Sequence, residues 1–179
     1  MLIVPIGAKI AIIGVSSAGK STIARRLNLY LHLPLYHTDS FSWQYGWGKP
    51  RSNDEIVAFV DSILEKPEWL IEGYLGYVEL PDKRLQAADK VIVLDYSRFT
   101  LAWHFLKRRF SYRNKNRPEL PDICTETFGL KAIIRSMDYL FESDLRVNLY
   151  NWIENIEPEK MLIFKKPSQL NKWLGDNFN

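Results

Sequence analysis

The chain has 179 residues, 46% apolar and 25% charged, which suits a single globular domain with a sizeable core and excludes a fibrous or disordered chain. Its net charge of +3 is too small to argue for nucleic acid, and its single cysteine excludes an intrachain disulfide and fits a reducing compartment, so the expected location is the cytoplasm. Nothing reaches the roughly 18 apolar residues needed to span a bilayer, so no membrane partner is expected, and the apolar start, with no basic leader, reads as flowing into a strand.

Lys9–Gly14, KIAIIG, is a short continuous apolar run, the pattern of a strand covered on both faces. Residues 20–32 place Ile23, Leu27, Tyr30 and Leu31 on one helical face. Leu35–His37 is a second, short strand. Ser52 and Glu55 form a capping pattern, and behind it Ile56, Phe59, Val60, Ile63 and Leu64 have helical spacing up to Pro67. Trp69–Glu72 and Lys90–Asp95 read as two further buried strands. Phe99, Ala102, Trp103, Leu106 and Phe110 make another helix, and residues 112–125, with Pro118 and Pro121, read as a loop or lid. The apolar positions from Leu130 to Ile156 outline a long helix or a broken pair. Met161–Phe164 is a fifth strand, followed by a short helix near Ser168–Leu174. Strands alternating with helices imply a parallel sheet wrapped on both sides.

The stretch GVSSAGKST between the first strand and the first helix meets the pattern G-x-x-x-x-G-K-[ST] at Gly14, Gly19, Lys20 and Ser21. Glycines let the backbone approach an anion, and successive amides then cradle phosphate oxygens at a helix N-terminus. The small residues Ser16, Ser17 and Ala18 keep the loop unobstructed, and Thr22 completes it. Lys20 reaches the β- and γ-phosphates, and the Ser21 hydroxyl ligates Mg²⁺. The expected ligands are therefore ATP, or another nucleoside triphosphate, and Mg²⁺. A guanine-specific switch would carry N-K-x-D, whereas the nearest string, Asn114 to Arg117, lacks the acid. The three histidines have no zinc spacing, and no G-x-S-x-G elbow is present.

Seven basic residues and no acidic one lie between Arg98 and Arg117. Such a block faces phosphate or is a solvated helix face. Arg108, Arg109 and Arg113 approach the lid and Arg117 lies inside it. Guanidinium groups suit the charge that in-line phosphoryl transfer builds on the equatorial oxygens. Arg109 and Arg113, four apart, share a face if the helix continues that far. In FSWQYGW, the alternating Phe41, Trp43, Tyr45 and Trp47 fit either a stacking pocket or a hydrophobic flap. No charge lies from Ser40 to Gly48, so a charged acceptor would need Lys49, Arg51 or Arg84.

With GVSSAGKST, HTDSFSWQYGW, WLIEGYL, DKRLQAADKVIVLDYSR and LKRRFSYRNKNRPELPD in this order, nearly the whole chain resembles the adenylate-kinase-like P-loop family. Within it the chain looks like the bacterial group labelled DNA topology modulation proteins. The resemblance implies an α/β, three-layer P-loop NTPase fold with a five-stranded parallel sheet in the order 2-3-1-4-5. It also implies a substrate lobe at about residues 40–68 and a lid at about 112–126, within one domain.

Asp39 is read as ending the second strand in His37-Thr38-Asp39, and in a kinase of this plan that spot faces the acceptor. There it would accept a hydroxyl proton or hold metal-bound water, while an Asp at a strand exit also suits a helix cap or an Asx turn. Glu72-Gly73 stands where adenylate kinases carry Asp-Gly, and Glu72 would orient a water on the metal; Asp95 competes for that task. Arg135 and Arg146 lie where such kinases bring further arginines. The sequence thus reads as an enzyme moving the γ-phosphate of Mg·ATP to a small-molecule acceptor, nucleosides and nucleotides included, with Lys20, Asp39, Arg109 and Arg113 as catalytic residues. The alternatives are a DNA-associated NTPase, which would make DNA a partner, and an NTP-binding regulatory protein.

Overall fold

The computed structural model describes residues 8–43, 45, 50–73, 83–113, 115, 120–121, 124 and 144–178. Five strands form one sheet: β1 (Lys9–Gly14), β2 (Leu35–His37), β3 (Trp69–Glu72), β4 (Lys90–Leu94) and β5 (Met161–Phe164). Their order is β2-β3-β1-β4-β5 and every pairing is parallel. The helices are α1 (Lys20–Leu31), α2 (Thr38–Ser42), α3 (Asn53–Leu64), α4 (Lys83–Ala87), α5 (Arg98–Ser111), α6 (Asp144–Ile153) and α7 (Pro167–Phe178), with a 3₁₀ turn at Pro158–Lys160.

The unbroken apolar strands follow from helices on both faces of the sheet. Successive strand residues point to opposite sides, and KIAIIG divides accordingly. Ile10 and Ile12 join Leu70, Ile92 and Leu94 in a core with Ile23, Ala24 and Leu27 of α1, Leu101 and Phe105 of α5, and Leu170 and Leu174 of α7. Ala11 and Ile13 join Ile71, Val91 and Val93 in a second core with Ile63 of α3, Leu85 of α4, and Leu149 and Ile153 of α6. Three layers result, as expected for a doubly covered parallel sheet.

The register brings several functional positions to one edge. Ile12 and His37 both pair with Glu72, and Gly14 pairs with Leu94. The carboxyl ends of β1, β2, β3 and β4 therefore lie side by side, at the place where open α/β sheets bind ligands.

Two helices depart from the sequence expectation. The stripe of Phe99, Trp103 and Phe110 on α5 faces outward, 82%, 67% and 66% exposed, whereas Leu101 and Phe105 are buried. The helix carries two apolar stripes, and packing against β4 selects the second. α7 runs to Phe178, four residues past the expected end, because Phe178 packs on Tyr30 of α1 and on Trp173. The broken-pair reading of residues 130–156 lies outside the described residues up to 143; α6 covers its last part.

At the start of α3 the capping box forms in full. The Ser52 hydroxyl accepts from the Glu55 amide and the Ser52 amide donates to Glu55 Oε2 at 3.0 Å. Removing the serine oxygen should cost about 1 kcal/mol, and in a domain of this size Ser52→Ala should lower Tm by about 2–4 °C. Thermal unfolding followed by circular dichroism checks this; an unchanged Tm would make the cap energetically idle.

Candidate active site

The loop after β1 is built on a tight turn. Ala18 N–H donates to Val15 O at 3.2 Å, and Ser17 in that turn has a φ of 65°. Gly19 then opens α1 with a φ of 89°. A Cβ at Gly19 would meet no atom within 4 Å. It is the left-handed backbone, not space, that calls for glycine there.

Unlike α3 and α5, α1 has no side-chain cap, and unlike α3 it has no acidic residue in its first turn. Its leading amides and its positive dipole end are left for an anion. Ser16, Ser17 and Gly19 are half-buried, Ala18 is buried, Ser21 is half-buried and Thr22 is exposed. Lys20 is buried and folds back so that Nζ donates to Val15 O at 3.2 Å. An ammonium parked on a loop carbonyl is positioned to turn toward a phosphate entering the same loop.

Beside this loop stands Glu72, 1% exposed at the end of β3. His37 Nδ1 meets Glu72 Oε1 at 2.5 Å. Burial by itself would raise the Glu72 carboxyl; the hydrogen bond from His37, the charges of Lys20 and His37, and the nearby Ser21 hydroxyl together outweigh it and hold Glu72 below the usual carboxylate value. Glu72 is therefore an anion at neutral pH. Its Oε2 is buried and has no hydrogen-bond partner. A buried, ionised oxygen left open next to a hydroxyl and an ammonium fits a Mg²⁺ ion or its water. Asp95, the competing acid, lies just past β4 and its Oδ2 accepts from the Tyr150 hydroxyl of α6 at 2.6 Å.

Asp39 is not the last residue of β2, which ends at His37. It lies in the first turn of the five-residue α2, whose N-cap is His37, so it is not the cap itself. This short helix is tied to β3 through Thr38 Oγ1, which donates to Glu72 O at 3.2 Å, and is braced by Ser42 Oγ donating to Thr38 O at 2.8 Å. Gly73 lets it come so close. A Cβ on Gly73 would stand 1.9 Å from Thr38 Oγ1 and 3.4 Å from Asp39 Oδ1, and φ there is 137°.

The aromatic stretch packs inward at its start. Phe41 stacks on Phe59 of α3 with centroids 3.8 Å apart, and the Arg51 guanidinium lies 4.3 Å over Phe41 and 4.9 Å over Tyr45. Arg51 also donates to Glu55 Oε1 at 2.9 Å. This is the flap arrangement for Phe41, while Tyr45 is exposed and Trp47 lies outside the described residues. Cys124, from the lid stretch, is buried and its Sγ–H donates to Trp43 O at 3.4 Å. Arg84 of α4 is buried, with a long hydrogen bond of 3.4 Å from Nη1 to Gly73 O. Lys49 lies outside the described residues.

Of the lid arginines, Arg108 and Arg109 lie over the Phe105 ring at 5.6 and 5.1 Å. α5 ends at Ser111, capped by Tyr112, so Arg113 does not continue the face that carries Arg109. Arg117 and Arg135 lie outside the described residues, and Arg146 falls on α6.

The sequence missed His37, which was considered only for zinc spacing, and the Thr38 and Tyr150 hydroxyls. The usable signal was indirect. In the order 2-3-1, the ends of the second and third strands are neighbours, so H-T-D and E-G had to meet.

Among solved structures, a gluconokinase from Sinorhizobium meliloti 1021 superposes with a TM-score of 0.55 at 13% identity, covering 96% of this chain and 90% of that one. The fold is that of a P-loop kinase. No family model matches the chain, and no curated protein does. Among the described residues no helix is long and apolar enough to cross a membrane, and no cluster of three or more His, Cys, Asp or Glu is grouped to hold a metal ion by itself.

Proposed function

We propose that this chain is an ATP-dependent small-molecule kinase of the adenylate-kinase-like type. The observation that supports the reading is the buried, ionised Glu72, with Oε2 open, close to Lys20 and Ser21 of the loop, at the strand end where Gly73 lets Asp39 approach. The amides of residues 14–22 hold the triphosphate, with Lys20 released from Val15 O to the β- and γ-phosphates. Ser21 and Glu72 would hold Mg²⁺, Glu72 through bound water. The bound metal would neutralise charge on the phosphate oxygens and so ease cleavage of the β–γ bridge. Asp39 accepts the proton of the acceptor hydroxyl as its oxygen bonds to the γ-phosphorus and the bridging oxygen leaves with ADP. Arg109 and Arg113 neutralise the equatorial oxygens when the lid, about residues 112–126, covers them. The acceptor binds toward the lobe at about residues 40–68.

Purified protein with Mg·ATP and a panel of polyols, sugar acids including gluconate (after the structural neighbour's name), nucleosides and nucleotides tests the reading. At least one acceptor should stimulate ADP release, and Lys20→Ala should reduce that turnover by about 10²–10³-fold, the range for losing one charge-stabilising donor. ATP turnover indifferent to every acceptor would remove the kinase reading and favour a nucleotide-binding regulator. The DNA-associated alternative rests on the basic stretch 98–117 alone. It requires binding that weakens steeply with salt.

A further inference from the structure

We infer that His104 of α5 is a positioning residue for the phosphate-binding loop. Its Nδ1 lies 3.2 Å from Ser17 O across 87 residues of sequence. A carbonyl only accepts, so Nδ1 carries the hydrogen and donates. Ser17 is the loop's one left-handed residue that is not glycine, with a φ of 65°. Serine holds that conformation poorly, and asparagine or aspartate would support it with their own side chains. The Ser17 hydroxyl gives no such help: Oγ is buried without a hydrogen-bond partner. The donor that fixes the Ser17 peptide therefore comes from outside the loop.

The imidazole is itself held. Tyr96, buried just after β4, meets it edge to face with centroids 6.0 Å apart and planes at 85°. Tyr96 leads into α5, so one wall of the ring and the helix that carries it come from the same β4–α5 connection. The same peptide that offers its carbonyl to His104 carries the Ala18 N–H, which closes the turn on Val15 O at 3.2 Å. Val15 O also holds Lys20 at 3.2 Å. Fixing Ser17 thus fixes the turn on which the resting lysine depends. His104 lies one helical turn before Arg108 on the helix that carries Arg109, so the donor-side loop and the arginine helix are joined at this bond. The inference rests on the reading of the loop as a nucleotide site, but its first test does not need nucleotide.

In nucleotide-free protein, amide exchange at Ala18 should be several-fold faster in His104→Leu, which keeps the bulk and loses the donor. It should return toward wild type in His104→Asn, whose side-chain amide nitrogen stands near the place of Nδ1. Mg·ATP should bind about five- to tenfold more weakly to His104→Leu than to His104→Asn or wild type, the size of one lost hydrogen bond. Its kcat at saturating nucleotide should change by less than about twofold, because the bond fixes the empty loop. In a Ser17→Gly background, where the left-handed turn carries no penalty, His104→Leu should lose most of its effect on Kd. Unchanged Ala18 exchange in His104→Leu, failure of His104→Asn to restore it, or an undiminished cost in the Ser17→Gly background each overturns the assignment. A wild type that binds no nucleotide overturns the kinase reading, while Ala18 exchange still decides the role of His104.

Discussion

Asp39→Asn is expected to lower kcat by about 10²–10⁴-fold, the usual contribution of a positioned general base, while leaving the Kd for Mg·ATP within about twofold. The substitution keeps size and removes the ability to take a proton. The backbone role of Asp39 survives it, since Trp43 N–H donates to Asp39 O at 3.0 Å whatever the side chain. α2 keeps its anchors as well, because Thr38 Oγ1 and Ser42 Oγ are untouched. Stability should therefore change little, and the loss should fall on the chemical step. Steady-state kinetics with the acceptor found active, set beside calorimetry with Mg·ATP, separates these effects. A kcat equal to wild type would remove Asp39 as proton acceptor. A matching loss in nucleotide affinity would place its carboxylate at the metal instead, the other task open to it in the sequence.

The sheet was legible because its chemistry is local. A strand buried on both faces must be apolar along its interior, and KIAIIG, WLIE and KVIVL each declare that without help from the rest of the chain, while the edge strand MLIF is as apolar although Ile163 is exposed. β2 has only three residues, too few to show a period, and was read only as a short strand. The Ser52–Glu55 box was legible because both partners lie within four residues of each other. α2 was not, since five residues hold no helical period and its stability is tertiary: Thr38 is tied to a carbonyl 34 residues away. The outward stripe on α5 shows a different limit. Phe99, Trp103 and Phe110 repeat as regularly as a core face, and only the position of the helix against β4 decides that Leu101 and Phe105 go inside. In the site, the loop residues were readable from their own spacing. The His37–Glu72 pair was hidden because parallel register joins residues 35 apart, and nothing in either short string names the other.

Among the described glycines, Gly73→Ala should be the most damaging. Two separate penalties meet there. A φ of 137° is closed to an L side chain, and the added Cβ would stand 1.9 Å from Thr38 Oγ1. Backbone strain of this kind costs about 1–3 kcal/mol and forced overpacking about 1–3 kcal/mol more. The combined loss of about 2–6 kcal/mol is a large part of the 5–15 kcal/mol that holds a typical domain, and Tm should fall by about 5–20 °C. What gives way is α2, because β3 is paired on both sides and cannot move. The same shift would carry Asp39 off the sheet edge, so turnover should fall further than stability alone explains, even at temperatures where the variant is folded. Thr38→Ala separates the two penalties. It removes Oγ1, the nearest atom, and leaves the Cβ at 3.2 Å, so in the double variant the steric part should be relieved and the conformational part kept. The two substitutions should then be non-additive by about 1–3 kcal/mol, as contacting residues are. Additive losses would mean that Thr38 is not what Gly73 accommodates. A Gly73→Ala protein with wild-type Tm and turnover would show that the close approach of α2 to β3 is not what positions Asp39.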